Sequence, residues 1–160
     1  MDYTTYHSGR LEDARIRERW PRCPTIGTFI DVGAGDGITA SNTLHFARNG
    51  WYGILIDADP RQCKLLRENR PGEEVELAAI CEFDGMATIY LTGHLDHASL
   101  LSDLYADRRI AEIQVPAVRL ETMLERHGIG HIDLLSIDVE GAEMPAPTGP
   151  FHRAAASRAG

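Results

Sequence analysis

The sequence predicts an α/β domain with an open, mainly parallel sheet and helices on both faces. Apolar segments of strand length alternate along the chain with segments of helical composition. The predicted core strands are mostly apolar, as expected for strands that are buried on both faces. The first of them, residues 29–32, leads into the glycine-rich turn Gly33-Ala34-Gly35-Asp36-Gly37, and such a turn joins a strand to a helix at the ligand-binding edge of many α/β sheets.

The first predicted elements alternate between helix and strand. Residues 11–20 have the composition of a solvated lead-in helix that ends at Pro21. After the glycine-rich turn a helix is predicted over residues 38–49, because Asn49-Gly50 is a favourable left-handed helix stop. The free N–H groups at the start of this helix would point toward the same place as the turn.

Residues 53–56 form the second predicted strand, which ends at Asp57. Asp59 supplies an N-cap and Pro60 a first-turn proline for the helix that follows. Residues 75–80 then fit a third strand. Right-handed crossovers between such parallel strands bring their carboxyl ends to one edge of the sheet.

The remaining predicted elements include a hairpin. Asp84-Gly85 is a turn signal, so residues 87–91 are predicted to pair with the third strand. Residues 113–115 alternate between apolar and polar side chains and are followed by Pro116, which predicts an edge strand. A helix and a buried strand follow, over residues 120–127 and 132–139.

The glycine-rich turn and Asp57 together predict a site for an adenosine-containing ligand. Glycines let the backbone approach a ligand closely, and a carboxylate at the end of the second strand can bind ribose hydroxyls. A dinucleotide fingerprint, G-x-G-x-x-G, would need a glycine where the chain has Ile38. NAD is therefore disfavoured, although an NAD-dependent oxidoreductase remains an alternative.

Several separated motifs resemble, in order, those of the FkbM family of S-adenosylmethionine (SAM)-dependent methyltransferases. The resemblance covers roughly positions 25 to 143. It implies a Rossmann-like class I methyltransferase sheet, SAM as cofactor, and a hydroxyl oxygen of a sugar or secondary metabolite as the small-molecule acceptor. The motifs are Asp31–Gly37, Ser41-Asn42-Thr43, Gly50-Trp51-Tyr52-Gly53, Asp57-Ala58-Asp59-Pro60, Asn69-Arg70, Arg119–Leu124 and Ile132–Glu143.

The resemblance also implies which residues bind the cofactor. The turn would approach the methionine portion, Asp57 would bind the ribose, and the residues after the third strand would flank the adenine. Asp36 has a second interpretation, as a solvent-facing residue or a helix cap. The implied cofactor-binding residues are Asp31, Gly33, Ala34, Gly35, Asp36, Gly37, Asp57, Ala58, Ala79 and Ile80. The region before the first strand adds candidates for the methionine end, Tyr6, His7 and Ser8.

Asp138 and Glu140 are the candidate catalytic residues, since the resemblance places them at the end of a strand beside the sulfonium. A carboxylate there could complement the positive charge or take the proton of the acceptor hydroxyl. The alternative is that both acids cap a following helix. His94, Asp96 and His97 share one loop without a remote third ligand, so no metal site is predicted. His97 is a further candidate base, and Cys81 is expected to pack in the core.

The composition is that of one soluble globular domain. The 160 residues are 43% hydrophobic and 25% charged, with a net charge of −8, which argues against a nucleic-acid partner because such binding needs clustered cations. The three cysteines form no C-x-x-C pair, so neither a disulfide framework nor a zinc site is predicted. Without a signal pattern or a long apolar run, the chain is expected to be cytoplasmic and to have no membrane partner.

The sequence changes character near its end. The predicted division is a helical lead-in over residues 1–24, a SAM-binding domain over 25–143 and an irregular tail over 144–160, after all 24 acidic residues. The family would continue with a helix and further strands, so we expect the C-terminal strands to be missing and the chain to be truncated after its fourth core strand. An exposed sheet edge would favour self-association. The alternative function is an inactive remnant that at most binds SAM.

Overall fold

A computed structural model describes residues 12–20, 22–93, 98–99 and 109–139. Helices and strands alternate through the first half of this part of the chain, and most of the second half is strand. In chain order the elements are α1 Glu12–Arg19, β1 Thr28–Val32, α2 Leu44–Arg48, β2 Tyr52–Asp57, α3 Pro60–Asn69, β3 Glu74–Leu77, β4 Ala79–Ile80, β5 Gly85–Thr92, β6 Ala98–Ser99, β7 Arg109–Val118, α4 Leu120–Arg126 and β8 Leu134–Ile137.

The first sheet is fully parallel and has the strand order β3-β2-β1-β8. The register pairs Val32 at the end of β1 with Ile56 in β2 and Ile137 in β8. The residues that follow these strands, which include Gly33, Asp57 and Asp138, therefore lie along one edge of the sheet. This arrangement confirms the predicted parallel sheet and the shared edge.

Helices cover both faces of the first sheet, as predicted. On one face, Ile30, Ile54 and Ile56 pack in a core with Met123 and Leu124 of α4. The opposite face is covered by residues from the other three helices and the α2–β2 connection. The buried members of that second core are Phe29, Ala34, Phe46, Trp51, Leu55, Leu66 and Leu134, with Ile16 and Trp20 packed against them.

The second sheet has the strand order β4-β7-β5-β6 and corrects three predictions, two of them about strand pairing. Residues 87–91 of β5 pair antiparallel with β7, not with the third predicted strand. That third strand is divided at Ala78, because β2 ends at Asp57 and offers no partner beyond Leu77, so the chain turns to pair with β7. The N–H of Ala78 donates to the carbonyl oxygen of Asp57 at 3.1 Å, which fixes the point of division.

Pro116 was expected to mark an edge strand, and this prediction is wrong. It lies in β7, between β4 and β5. The proline is tolerated because β4 is short and pairs only with Ala117 and Val118, so Pro116 lies beyond the end of β4 on that side.

The helix predicted over residues 38–49 begins only at Leu44. The N–H groups of Ile38 and Thr39 donate to the Asp36 side chain at 2.8 and 2.7 Å, and Ala40 has a positive φ of 55°. These residues form a turn instead of a helix, since an aspartate side chain competes for backbone N–H groups. The hydroxyl of Ser41 accepts from the Leu44 N–H at 3.1 Å, where α2 begins.

The caps of α3 and α4 agree with the predictions. Asp59 precedes α3 and accepts from the Arg61 N–H at 2.8 Å, with Pro60 in the first turn. The Arg61 guanidinium pairs with the Asp59 carboxylate at 2.6 Å and donates to the Thr92 carbonyl at 3.1 Å. The start of α3 is thereby joined to the end of β5. Gly128, with φ of 64°, follows α4 as the predicted stop.

The lead-in helix α1 is docked on the domain rather than solvated on all sides. Ala14 is buried, and Ile16 packs against the core of the first sheet. Trp20 meets Trp51 edge to face, with ring centroids 6.0 Å apart. None of the helices in the described ranges has the length and apolar character needed to cross a membrane.

Candidate functional site

A cavity of about 370 Å³ opens at the carboxyl edge of the first sheet. Its volume is in the range of small-molecule sites. The walls come from the glycine-rich turn, the ends of β1 and β2, the β3–β4 junction and the residues after β8. The lining residues are 31–36, 39–42, 56–59, 62, 78–80 and 138–139.

The glycine-rich turn is folded against β2 and β8. The N–H groups of Gly33 and Ala34 both donate to the Ile56 carbonyl, at 2.8 and 3.2 Å. Gly33 has φ of 78°, and a Cβ at this position would overlap the carbonyl oxygen of Asp138. Only glycine therefore lets β8 end so close to the turn. By contrast, a Cβ at Gly35 would meet no described atom within 4 Å, so the turn leaves open space there.

Asp57 is hydrogen-bonded through both carboxylate oxygens. Oδ2 accepts from the Gly35 N–H at 3.0 Å, and Oδ1 accepts from the Asp59 N–H at 2.8 Å. Each oxygen keeps a further lone pair for a ligand hydroxyl. Burial raises the pKa of Asp57 to about 6, and the charges of Asp59 and Asp31 add to the rise against the two hydrogen bonds.

We expect the stability of the chain to depend on the ionisation of Asp57. Because folding raises the pKa of this carboxyl, the folded state binds the proton more tightly than the unfolded state, and stability falls as the pH rises through about 6. Urea unfolding of the wild type and of Asp57→Asn near pH 4.5 and near pH 8 measures the effect. The wild type should lose about 2 kcal/mol relative to the variant at the higher pH. The same difference at both pH values would contradict this expectation.

Asp31 links the end of β1 to the loop before α2. It is 3% exposed and accepts from the Thr43 hydroxyl at 2.6 Å. Burial raises the pKa of Asp31, while hydrogen bonds from Thr43 and Ser136 act against the rise. The Asn42 amide in turn donates to the Ser136 hydroxyl at 3.2 Å. Asp31 therefore orders the loop next to the cavity, and most of its own surface is hidden.

Asp36 lines the cavity, but its carboxylate bonds within its own loop. Besides the N–H groups of Ile38 and Thr39, it accepts from the Thr39 hydroxyl at 2.7 Å. Partial burial acts to raise its pKa, but these hydrogen bonds prevail and the pKa is lowered. Asp36 thus caps a turn. The predicted alternative was that it caps a helix, but α2 begins only at Leu44.

The structure places most of the predicted site residues around this one cavity. Ala58, Ala79 and Ile80 line it, as does the exposed Asp138. Gly37 does not line it. Cys81 packs against a core cluster of the second sheet that includes Ala79 and Ile89, and burial raises the pKa of its thiol. The other candidates lie outside the described residues; these are Tyr6, His7, Ser8, His94, Asp96, His97 and Glu140.

Some lining residues were not predicted. Thr39, Ala40, Ser41 and Asn42 reach the cavity because the expected helix begins later. The motif Ser41-Asn42-Thr43 was the available signal, since it formed part of the family resemblance. Asp59, which was predicted to be a helix cap and was part of a resemblance motif, also lines the cavity.

The cavity is acidic. Five aspartates line it, at positions 31, 36, 57, 59 and 138, and the described lining contains no lysine, arginine or histidine. Within the same described part of the chain, no group of three His, Cys, Asp or Glu side chains is arranged to hold a metal. The walls therefore favour a cationic ligand over an anionic one.

Comparison with known proteins gives the family. The family model described as the methyltransferase FkbM domain matches residues 31–146, which include the turn, Asp57 and Asp138. Searches of curated proteins and of solved structures gave no match. Because the family model covers more than half of the chain and its cavity-forming residues, the chain belongs to the FkbM methyltransferase family.

Proposed function

We propose that the chain is a SAM-dependent methyltransferase and that SAM binds in the acidic cavity. The observation that supports this most is the combination of the Asp57 carboxylate with a described lining that has five aspartates and no basic side chain. SAM carries a sulfonium, an ammonium and a carboxylate group and is therefore a net cation, which such a lining favours. NAD carries a pyrophosphate, which usually binds to helix N-termini or cations, and α2 begins too late to supply a helix terminus next to the turn.

Separate residues of the cavity would bind separate parts of SAM. Asp57 would accept hydrogen bonds from the two ribose hydroxyls through its remaining lone pairs. The open space at Gly35 would admit the methionine portion against the backbone of the turn. Ala79 and Ile80 would flank the adenine, and Asp138 would lie on the sulfonium side.

We propose a hydroxyl oxygen of a small molecule, such as a sugar or a secondary metabolite, as the methyl acceptor. When bound, SAM supplies a methyl group activated by its sulfonium. The chain would hold the acceptor oxygen in line with that group, which removes the entropic cost of alignment. Asp138 is exposed beside the cavity, so its carboxylate can accept the proton that the hydroxyl must lose.

Transfer of a labelled methyl group from SAM to a panel of sugars and other hydroxyl compounds tests this function. The wild type should form an alkali-stable methyl ether, and Asp138→Asn should lower kcat about 100-fold, the usual scale for losing a general base. The affinity of Asp138→Asn for SAM should change by less than about tenfold, since the other cavity carboxylates remain. Glu82→Gln, which changes an exposed acid outside the cavity, is the control. SAM binding without transfer to any acceptor would support the inactive remnant.

A further inference from the structure

The far end of α3 contacts the back of the glycine-rich turn. The side-chain amide of Asn69, the last residue of α3, donates to the Asp36 carbonyl at 2.8 Å. The guanidinium of Arg70 donates through Nη1 to the Gly37 carbonyl at 3.0 Å. Two successive side chains thus hold two successive carbonyls of the turn. We call Asn69 and Arg70 the α3 clasp.

Arg70 is buried to an unusual degree for an arginine. It is 3% exposed, pairs with Glu73 at 3.1 Å and lies over the Phe29 ring, 5.8 Å from the centroid. Its Nε has no hydrogen-bond partner among the described residues. A buried charge with an unsatisfied N–H contributes less to stability than an apolar side chain of similar size, because the apolar side chain has no such desolvation cost. The directed bond to the turn is the feature that an apolar side chain could not supply.

Gly37 explains why the clasp can approach so closely. A Cβ at this position would lie 2.7 Å from Leu66 Cδ2 and 2.9 Å from Arg70 Cγ. Gly37 therefore faces α3 rather than the cavity, which accounts for its absence from the lining. Gly37 is the third glycine of the turn. Its lack of a side chain lets α3 pack against the turn, and its carbonyl faces Arg70.

The turn is held from both ends of α3. Asp57, just before the helix, accepts from the Gly35 N–H, while the clasp at the other end bonds the carbonyls of the next two residues. We propose that Asn69 and Arg70 are positioning residues. From behind the cavity, they hold the glycine-rich turn in the conformation that binds SAM. This role rests on the proposed function, because the turn would bind the methionine portion.

The charge of Arg70 supports the same role. Burial raises the pKa of Asp31, and the positive charge of Arg70 acts against that rise. Because the guanidinium lies behind the turn and does not line the cavity, it partly offsets the buried carboxylate without contacting a ligand in the cavity.

The test compares four variants of the full chain by SAM titration, thermal unfolding and hydrogen exchange of the Gly35 and Gly37 amides without ligand. Arg70→Met removes the clasp bond, and Arg70→Lys keeps only the charge. Glu73→Gln breaks the ion pair but leaves the clasp. Arg67→Met is the matched control, because Arg67 is an exposed arginine in the last turn of α3, near Arg70 in the sequence.

We expect Arg70→Met and Arg70→Lys to weaken SAM binding about tenfold, the usual scale for one lost charge-assisted hydrogen bond. Both should also speed exchange of the two amides, whereas Glu73→Gln lowers the melting temperature and leaves the SAM affinity unchanged. Equal loss of affinity in Glu73→Gln and Arg70→Met would overturn the proposal, since both would then act through stability alone. Unchanged exchange and affinity in Arg70→Lys would overturn it as well.

Amide exchange distinguishes a failure of the α3 clasp from a failure of the proposed function. If the wild type binds no SAM, the proposed function fails and amide exchange still decides whether the clasp holds the turn. If Arg70→Met does not fold, Asn69→Ala replaces it, because Asn69 is exposed. That variant should speed exchange of the Gly37 amide and weaken SAM binding about threefold. No change in either would count against the clasp.

Discussion

Replacing Asp57 with asparagine should weaken SAM binding about 100-fold without lowering the stability of the chain. Two charge-assisted hydrogen bonds to ribose hydroxyls become neutral, and a loss of about 1.4 kcal/mol at each gives this factor. The stability should change little, because two effects offset each other. The variant lacks an ionised carboxyl that burial disfavours, with its pKa raised to about 6, but its amide can accept from only one of the Gly35 and Asp59 N–H groups. A loss of SAM affinity without a loss of stability separates ligand recognition from damage to the fold.

Calorimetric titration with SAM and urea unfolding, both near pH 7.5, measure the two effects. Glu68→Gln is the control, since it removes one exposed acid from α3 without touching the cavity. Its affinity for SAM should stay within about twofold of the wild type, because exposed charges outside the site are screened. Unchanged SAM affinity in Asp57→Asn would show that Asp57 does not bind the ligand.

Gly33→Ala should lower the free energy of unfolding by about 4 kcal/mol, a large fraction of the stability of a small domain. An alanine in the left-handed region costs about 1 to 2 kcal/mol. The remainder arises because the new Cβ overlaps the Asp138 carbonyl, so the end of β8 must move away from the turn. The displaced residue is the one expected to assist catalysis, so activity should be lost as well.

Two other glycines with positive φ serve as controls for the Gly33 prediction. Gly35 and Gly128 have φ of 59° and 64°, and a Cβ at either would meet no described atom within 4 Å. Alanine at these positions should lower the free energy of unfolding by only about 1 to 2 kcal/mol, the cost of alanine in the left-handed region. Urea unfolding of the three variants separates conformational strain from contact with β8. Equal losses for all three would contradict the close approach of Asp138.

The parallel core of the fold could be predicted because its signals are local. The apolar runs of β1 and β2 are long enough to be recognised, and Asp59 and Pro60 mark the start of α3 without reference to distant residues. The late start of α2 was missed because the Asp36 side chain binds the N–H groups that a helix would have used.

The second sheet could not be predicted because its pairings are distant in sequence. Asp84-Gly85 suggested a hairpin with the preceding strand, but the Asp84 carboxylate accepts from the Arg119 N–H at 3.0 Å and from the Thr122 hydroxyl at 3.1 Å. It therefore binds the start of α4, and β5 pairs with β7. Nothing in the local sequence distinguishes the two partners.

The candidate site followed from the strand ends, since parallel strands bring Gly33, Asp57 and Asp138 together regardless of loop details. The positions of site residues in loops were harder to predict from the sequence. The path of residues 39–42 depends on the turn that Asp36 caps, and the orientation of Gly37 depends on the buried Arg70. The cofactor-binding and catalytic roles of these residues stay predictions.

The central claim, that this cavity binds SAM, is tested most directly by calorimetric titration of the 160-residue chain with SAM and, separately, with NAD. We predict that one SAM binds per chain, that added SAM raises the melting temperature, and that NAD at the same concentration does not bind. A folded chain that binds NAD but not SAM would contradict the account and favour an oxidoreductase. A folded chain that binds neither ligand would leave an inactive member of the family.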